Sequence, residues 1–277
     1  NCRGCDHDLD LYNSVIYVGP DTGIEMYRID AGRAMQRIDI ESQAALGGIP
    51  GRITLYEDEL WLTLPGAREV SVLGLANGRY DEIRRFVAAD NAGNPFTPED
   101  IIRVGERVFV SAGTQGTVEL FFLDSDESAT HVAQLALTIV VDNGAAHAGE
   151  MILLGQDLHV AGGQGDIQIF DVASWFDNDF VEPPALKDYF AIVGDVNAIE
   201  YARSVIYAGT TFAEVNGVPA ESPFGPNDSL PNQIGGLLST IEIDNLAIVE
   251  QYPQPSASLP IGVPIEVQFN RILNPVQ

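Results

Sequence analysis

The sequence SVIYVG at residues 14–19 returns as SVIYAG at residues 204–209. These two segments belong to a longer repeat, whose common element is an apolar residue, a bulky ring and a second apolar residue. Five copies of this trio are centred on Tyr17, Trp61, Phe109, His159 and Tyr207, between 44 and 50 residues apart. Regular spacing of this kind is the signature of a repeat architecture.

Each trio is flanked by short runs that have the character of β-strands. The runs before the trios are LDLY (9–12), ITLY (53–56), IIRV (101–104), MILL (151–154) and AIEY (198–201). A turn rich in glycine follows most trios, and then an alternating run such as TVELFFL (117–123). A fourth and more variable run, such as YDEIRRF (80–86), closes most copies. Alternating apolar and polar residues between Gly and Asp turns indicate strands.

Four antiparallel strands in each repeat of this length predict an all-β protein with the β-propeller fold. One blade cannot bury both of its faces, so blades must pack against one another. We expect about five four-stranded blades, at residues 9–41, 53–88, 101–140, 151–193 and 198–252. The rings of the trios are expected to pack between blades, with His159 in the same position as a core or edge histidine.

Two segments resemble known families. The fourth copy, LHVAGGQGDIQIFDV (158–172), resembles the LVIVD-type repeats of bacterial and archaeal surface propellers, and this similarity extends in pattern over about residues 9–252. The tail segment LPIGVPIEVQFNRILNP (259–275) resembles the opening of bacterial Ig-like domains. The resemblance implies a segment of a larger surface protein, in which residues 253–277 form a linker and the start of an Ig-like module (about 254–277). It also implies a role in adhesion, scaffolding or binding.

Composition limits the classes of partner. The formal net charge is −26, with 40 acidic and 14 basic residues, so a phosphate backbone would be repelled and nucleic acid is excluded as a partner. No apolar run reaches the ~20 residues of a membrane-spanning segment. An acidic chain without cysteines in its core suits an extracellular or cell-surface location. The expected partners are a surface protein, a glycan or further copies of the chain.

The N-terminal segment, residues 1–8, contains Cys2, Cys5 and His7. The covalent haem motif needs a histidine directly after the second cysteine, and Asp6 occupies that position. Three neighbouring ligands fall short of the four in a structural zinc site. A disulfide, two free thiols or a metal site remain as alternatives.

Acid–amide pairs recur in the turns that lead into the first strands of the repeats. They are Asp90 with Asn91, Asp142 with Asn143, and Asp195 with Asn197. Carboxylate and amide oxygens around one mouth of a propeller could bind Ca²⁺. The alternative is that Asp and Asn simply favour turns. Apart from this calcium hypothesis, the sequence indicates no cofactor.

A long insert, residues 210–236, separates the second and third strands of the fifth copy. Its Pro, Gly, Asn and Ser content predicts a surface loop, and long loops of this kind often carry function. The candidate ligand-binding residues in it are Phe212, Glu214, Asn216, Phe224, Asn227 and Asp228.

The function expected from these observations is a non-catalytic extracellular β-propeller module for binding, adhesion or structural assembly, with no catalytic residues. The sequence contains no Gly-x-Ser-x-Gly elbow, no H-E-x-x-H motif and no phosphate-binding loop. The alternative is a propeller enzyme, a glycan hydrolase or lyase, with its site at the central mouth. A third class, a redox accessory, rests on the cysteine pair alone. A histidine clustered with two acids at the mouth would favour the enzyme.

Overall fold

Antiparallel strands make up almost all the regular structure in the computed structural model of this chain. The structure describes residues 9–12, 15–18, 23–29, 35–57, 59–76, 79–124, 128–138, 146–162, 166–177, 180, 182–192, 195–202, 205–211, 214–215, 218–219, 236–242, 248–252 and 266–269. Four sheets of four strands follow one another along these residues, each with its strands in chain order.

The strands of these four sheets coincide with the runs found in the sequence. The first sheet contains β1 (Leu9–Tyr12), β2 (Val15–Val18), β3 (Gly23–Ile29) and β4 (Met35–Ser42). The second contains β5 (Ile53–Tyr56), β6 (Glu59–Leu64), β7 (Glu69–Ala76) and β8 (Arg79–Val87). The third contains β9 (Ile101–Val104), β10 (Arg107–Ser111), β11 (Thr117–Leu123) and β12 (Ala129–Ala136). The fourth contains β13 (Met151–Leu154), β14 (Asp157–Ala161), β15 (Asp166–Asp171) and β16 (Leu186–Ala191).

The fifth sheet is less complete among the described residues. It contains β17 (Asp195–Ala202), β18 (Val205–Thr211) and β21 (Gly236–Glu242). The insert between β18 and β21 contains a short hairpin of β19 (Glu214–Val215) and β20 (Val218–Pro219). The sequence placed Ile248–Tyr252 at the end of the fifth blade, but this strand, β22, pairs with β23 (Glu266–Phe269) in a separate two-stranded sheet.

The five ring trios occupy equivalent positions, as the repeat predicts. In every sheet the ring residue lies on the second strand and pairs with a residue in the middle of the four-residue run before it, the second residue in the first four sheets and the third residue in AIEY. The pairs are Tyr17 with Asp10, Trp61 with Thr54, Phe109 with Ile102, His159 with Ile152 and Tyr207 with Glu200. SVIYVG and SVIYAG are therefore the same strand of the first and fifth sheets.

Hydrophobic cores lie between successive sheets and bury the faces that a single sheet would expose. The first core joins the first two sheets, with Ile24 packed near Leu62. The next core contains Trp61 of the second sheet and Val108 of the third. Phe109 and Trp175 pack between the third and fourth sheets, with ring centroids 5.8 Å apart. A further core joins the fourth and fifth sheets. Trp61 and Phe109 are completely buried, which confirms their predicted packing role.

The sheets fan out from their first strands. Strand β1 contacts β5, β5 contacts β9, β9 contacts β13 and β13 contacts β17. The first strands thus lie innermost, and the fold is β-propeller-like, as expected from the repeat. We call the end of the sheets at which these first strands begin the axial end.

Among the described residues, two one-turn helices interrupt the strands without a clear signal in the sequence. Helix α1 (Gln43–Leu46) begins after Ser42, whose Oγ accepts a hydrogen bond from the Ala45 N–H, and ends at Gly47 with a φ of 75°. Helix α2 (Ala173–Phe176) follows β15. In the part of the chain that the structure describes, no helix has both the length and the apolar character to cross a membrane.

Candidate active site at the axial end

The residue just before the first strand is charged in three consecutive sheets. These residues are Arg52, Asp100 and Glu150, which precede β5, β9 and β13. Their carbonyl groups accept hydrogen bonds of 3.0, 3.0 and 2.8 Å from the N–H groups of Thr63, Ser111 and Ala161. Each of the three residues therefore extends its first strand by one position, and all three hold the same place in the repeat.

The three side chains meet at the axial end, and we call them the axial cluster. Arg52 Nε lies 3.1 Å from Asp100 Oδ1, and Arg52 Nη1 lies 2.6 Å from Glu150 Oε1. One guanidinium group therefore bridges carboxylates from two other sheets. The cluster brings one positive and two negative charges together, so its formal charge is negative.

Backbone amides hold the two carboxylates in place. Asp100 Oδ1 accepts a hydrogen bond from the Ile101 N–H (2.8 Å), and Oδ2 accepts one from the Met151 N–H (2.7 Å). Glu150 Oε2 accepts one from the Ile199 N–H (2.8 Å). The bond from Met151 to Asp100 connects the fourth sheet to the third, and the bond from Ile199 to Glu150 connects the fifth sheet to the fourth. The cluster is thus positioned by regular strands and not by loops.

Solvent reaches the cluster unevenly. The Asp100 side chain is 3% exposed, whereas the side chains of Arg52 and Glu150 are 25% and 21% exposed. A small molecule at the axial end can therefore contact a guanidinium group and a carboxylate, whereas Asp100 is buried and contacts Arg52. An accessible carboxylate and a fixed cation are suited to general base catalysis and to stabilising an anion.

Glu99 and His147 lie close to this end of the axis. The Glu99 N–H donates to the carbonyl of Ser111 (3.0 Å), and its carboxylate packs against Gly113. Gly113 in turn forms a bridge with Ala148, the residue next to His147. The sequence criterion for an enzyme was a histidine with two acids, and the structure instead places an arginine between two acids.

Asp166 is buried at the beginning of β15, on the same end of the fourth sheet. Burial raises the pKa of its carboxyl, and the hydrogen bond from the Gln168 amide to Oδ2 (3.1 Å) opposes that shift. A Cβ atom on Gly162 would lie 1.7 Å from Asp166 Oδ1, so this close packing requires the glycine.

A second polar cluster lies on the outer strands of the third sheet. Glu119 is completely buried, and its Oε2 lies 2.7 Å from His131 Nε2. Thr117 Oγ1 and Gln134 Nε2 both donate to Glu119 Oε1, at 2.6 and 2.7 Å. These bonds satisfy a buried carboxylate and join β11 to β12, so His131 has a structural role on the outer strands of the sheet.

The calcium hypothesis can be examined at one of its three pairs. Asp90 Oδ1 accepts hydrogen bonds from the N–H groups of Ala92 (2.9 Å) and Asn94 (2.8 Å), and the Asn94 amide donates to Oδ2 (2.9 Å). These bonds lower the pKa of the Asp90 carboxyl. The neighbouring Asn91 is exposed. The turn alternative therefore accounts for the Asp90 carboxylate. Among the described residues, no group of three His, Cys, Asp or Glu side chains could hold a metal ion.

The other site residues expected from the sequence lie wholly or partly outside the described part of the structure. Asp195, Asn197 and Glu214 lie in described strands, but their side chains are not described. The residues that lie outside the described part are Cys2, Cys5, His7, Asp142, Asn143, Phe212, Asn216, Phe224, Asn227 and Asp228. Those predictions stay predictions.

The sequence reasoning missed the axial cluster. Its signal was nevertheless present, because a charged residue directly precedes ITLY, IIRV and MILL in the aligned repeats.

Comparison with known proteins supports the fold. A Lactobacillus plantarum protein of unstated activity has a TM-score of 0.58 at 14% identity, covering 73% of this chain and 62% of its own. The periplasmic gluconolactonase of Pseudomonas aeruginosa has a TM-score of 0.53 at 16% identity, covering 85% and 70%. A Bacteroides fragilis protein provisionally assigned as a 6-phosphogluconolactonase has a TM-score of 0.52 at 14% identity, with the same coverage. No family model and no curated protein match the sequence.

These likenesses, all below 25% identity, establish a shared fold. The chain spans 62% of the length of the Lactobacillus plantarum protein. The comparisons nevertheless contradict the prediction of a non-catalytic module, because the Pseudomonas aeruginosa structure is a gluconolactonase and the Bacteroides fragilis structure is provisionally assigned as a lactonase, and lactonases are enzymes. They agree better with the alternative of a propeller enzyme.

Proposed function

We propose that this chain is a lactonase, a hydrolase that opens the cyclic esters of sugar acids at the axial end of the sheets. The observation that carries the proposal is the partly exposed pair of Arg52 and Glu150, held 2.6 Å apart at the centre of the fold. The fold shared with the Pseudomonas aeruginosa gluconolactonase supports it. Lactone hydrolysis needs little beyond a base for water and a stabiliser for an oxyanion.

Glu150 is the proposed general base. Its two oxygens accept hydrogen bonds from Arg52 and from the Ile199 N–H, and the side chain is 21% exposed, so water reaches these oxygens. One of these can take a proton from a water molecule as that water attacks the lactone carbonyl. The same proton then passes to the ring oxygen when the carbon–oxygen bond breaks, which yields the open hydroxy acid.

Arg52 is the proposed oxyanion stabiliser. Attack on the carbonyl places a negative charge on its oxygen, and a guanidinium group offers five N–H donors in a fixed plane. The Arg52 side chain contacts both carboxylates and is 25% exposed, so an oxyanion in solvent contact can approach the guanidinium group. Asp100 is a positioning residue, because it is buried and acts through Arg52.

The test is proton release from D-glucono-1,5-lactone by the purified full chain, followed with a pH indicator against the spontaneous rate. We expect a rate above background, and a loss of about 10²-fold in kcat for Glu150→Gln, the size typical of a removed general base. The matched control is Glu106→Gln, in the exposed turn between β9 and β10 at the opposite end. Hydrolysis no faster than the background in a folded sample would refute the proposal.

We further propose the finer architecture suggested by the sequence. The five successive sheets are taken as five blades of an LVIVD-type propeller, and residues 254–277 as the start of an Ig-like module in an exported protein. The periplasmic location named for the Pseudomonas aeruginosa neighbour supports export. Limited proteolysis within 253–265 that leaves a folded fragment would support this division, and unfolding after the same cut would contradict it.

A further inference from the structure

The charge around the proposed site points to a class of substrate. We infer that the axial end selects uncharged sugar lactones over lactones that carry a phosphate or carboxylate group. The inference rests on the proposed function, and it concerns the same site. The names of the structural neighbours give two substrates, gluconolactone and 6-phosphogluconolactone, which differ by one phosphate group. The inference predicts that this chain prefers the first of them.

Before the reaction, two carboxylates neutralise the positive charge of Arg52, and only the transfer of a proton to Glu150 makes part of that charge available to the oxyanion. Its Nε lies 3.1 Å from one carboxylate and its Nη1 lies 2.6 Å from another, so a phosphate would have to displace or outweigh carboxylates that backbone amides hold in place. Glu99, on the neighbouring position, adds a third acid to this end of the axis. A substrate with negative charge therefore meets repulsion at short range.

Most of the basic residues that the structure describes elsewhere are committed to other contacts, and Arg28 and Arg84 lie on the outer strands β3 and β8 of their sheets. Arg85 bonds Glu69 and the carbonyl of Leu46 in the connection between the first two sheets. Arg103 bonds Glu59 at the far end of the first strands. The remaining contacts of this kind are Arg37 with Glu25, Arg107 with the carbonyls of Trp175 and Phe176, and Lys187 with Asp157.

Arg68 is the basic residue to consider at the axial end, because it lies in the turn between β6 and β7. Its carbonyl accepts a hydrogen bond from the Ala88 N–H, directly after the outer strand β8. That contact places its backbone beside the outer strand of the sheet and not beside the first strands, so it is not positioned to hold a phosphate at Arg52.

The long-range field acts in the same direction. The chain has a formal net charge of −26, which lowers the local concentration of anions at its surface. An uncharged lactone does not feel this field. The product of hydrolysis is a carboxylate, so the same charge that excludes anionic substrates favours release of the product.

The experiment compares kcat/KM for D-glucono-1,5-lactone and its 6-phosphate at ionic strengths of about 0.02 M and 0.5 M, because salt screens exposed charges over this range. We expect the uncharged lactone to be favoured about tenfold or more at low salt, a typical size for electrostatic effects on association. The preference should narrow at high salt. Glu99→Gln should also reduce the ratio of kcat/KM for the uncharged lactone to that for the 6-phosphate. Glu106→Gln removes the same charge at the opposite end and should leave this ratio unchanged.

A faster reaction with the 6-phosphate at low salt would overturn the inference and leave the lactonase proposal intact. If neither lactone is hydrolysed, calorimetry tests the charge selection by itself. The two ligands are D-gluconolactam, an uncharged ring analogue that is not readily hydrolysed, and 6-phosphogluconate. Binding of the lactam alone, without hydrolysis of either lactone, would refute the lactonase and support the charge selection. Binding of 6-phosphogluconate in preference to the lactam would refute the selection.

Discussion

Replacing Asp100 with alanine tests whether the axial cluster holds neighbouring sheets together. The Asp100 carboxylate is buried and accepts two backbone hydrogen bonds, from Ile101 within its own sheet and from Met151 in the next. It also contacts Arg52 from the preceding sheet. One side chain thus connects three consecutive sheets.

The expected loss of stability follows from these contacts. Hydrogen bonds to a charged group contribute about 1.5–3 kcal/mol each, and the two bonded amides lose their carboxylate partner in the variant. Arg52 keeps its contact with Glu150, which limits the cost of removing its second partner. We therefore expect Asp100→Ala to lower the free energy of unfolding by about 3–5 kcal/mol. Asp100→Asn keeps one acceptor oxygen and should lose about half of that amount.

Equilibrium denaturation in urea, followed by tryptophan fluorescence, measures this effect. Trp61 and Trp175 are both completely buried, one in the second sheet and one after β15 of the fourth, so they lie on either side of the sheet that contains Asp100. The matched control is Asp177→Ala, an exposed residue after α2, which should change stability by less than about 0.5 kcal/mol. A loss below about 1 kcal/mol for Asp100→Ala would show that the carboxylate does not connect the sheets.

Three other predictions follow from the described residues and from the insert. Burial raises the pKa of Asp166, so ionising it destabilises the folded state as pH rises above the ordinary aspartate range. Asp166→Asn should therefore raise the melting temperature at about pH 7 and lose this advantage at about pH 3, and an equal effect at both pH values would contradict the assignment. The Cζ atom of Arg103 lies 4.3 Å from the ring centroid of Tyr56 and 5.1 Å from that of Trp61. Arg103→Met should therefore lower the free energy of unfolding by about 1–2 kcal/mol and lower the melting temperature. An unchanged melting temperature would argue against these contacts. Replacing residues 212–233 with a short glycine turn should preserve the pairing of β18 with β21 and the melting temperature, while raising KM for the lactone; an unchanged KM would show that the insert does not contribute to binding.

Much of the fold could be predicted from the sequence because its signals are local. Alternation along TVELFFL and the constant position of the ring trios specify strands and their order, and the register of Tyr17 and Tyr207 confirms that order. The two short helices and the pairing of β22 with β23 were not predicted. A single helical turn leaves no periodicity to detect, and pairing across residues 253–265 has no local signal.

The sequence by itself determined that this chain is a repeat of four-stranded sheets, because strand patterns depend on neighbouring residues. It did not determine which side chains meet. Arg52, Asp100 and Glu150 are about 50 residues apart from one to the next, and each looks like an ordinary charged residue before a strand. They come together only because burial of Trp61, Phe109 and their neighbours stacks the sheets and brings the starts of the first strands side by side. The tertiary structure therefore decided the candidate site, since the contacts that form it are between sheets.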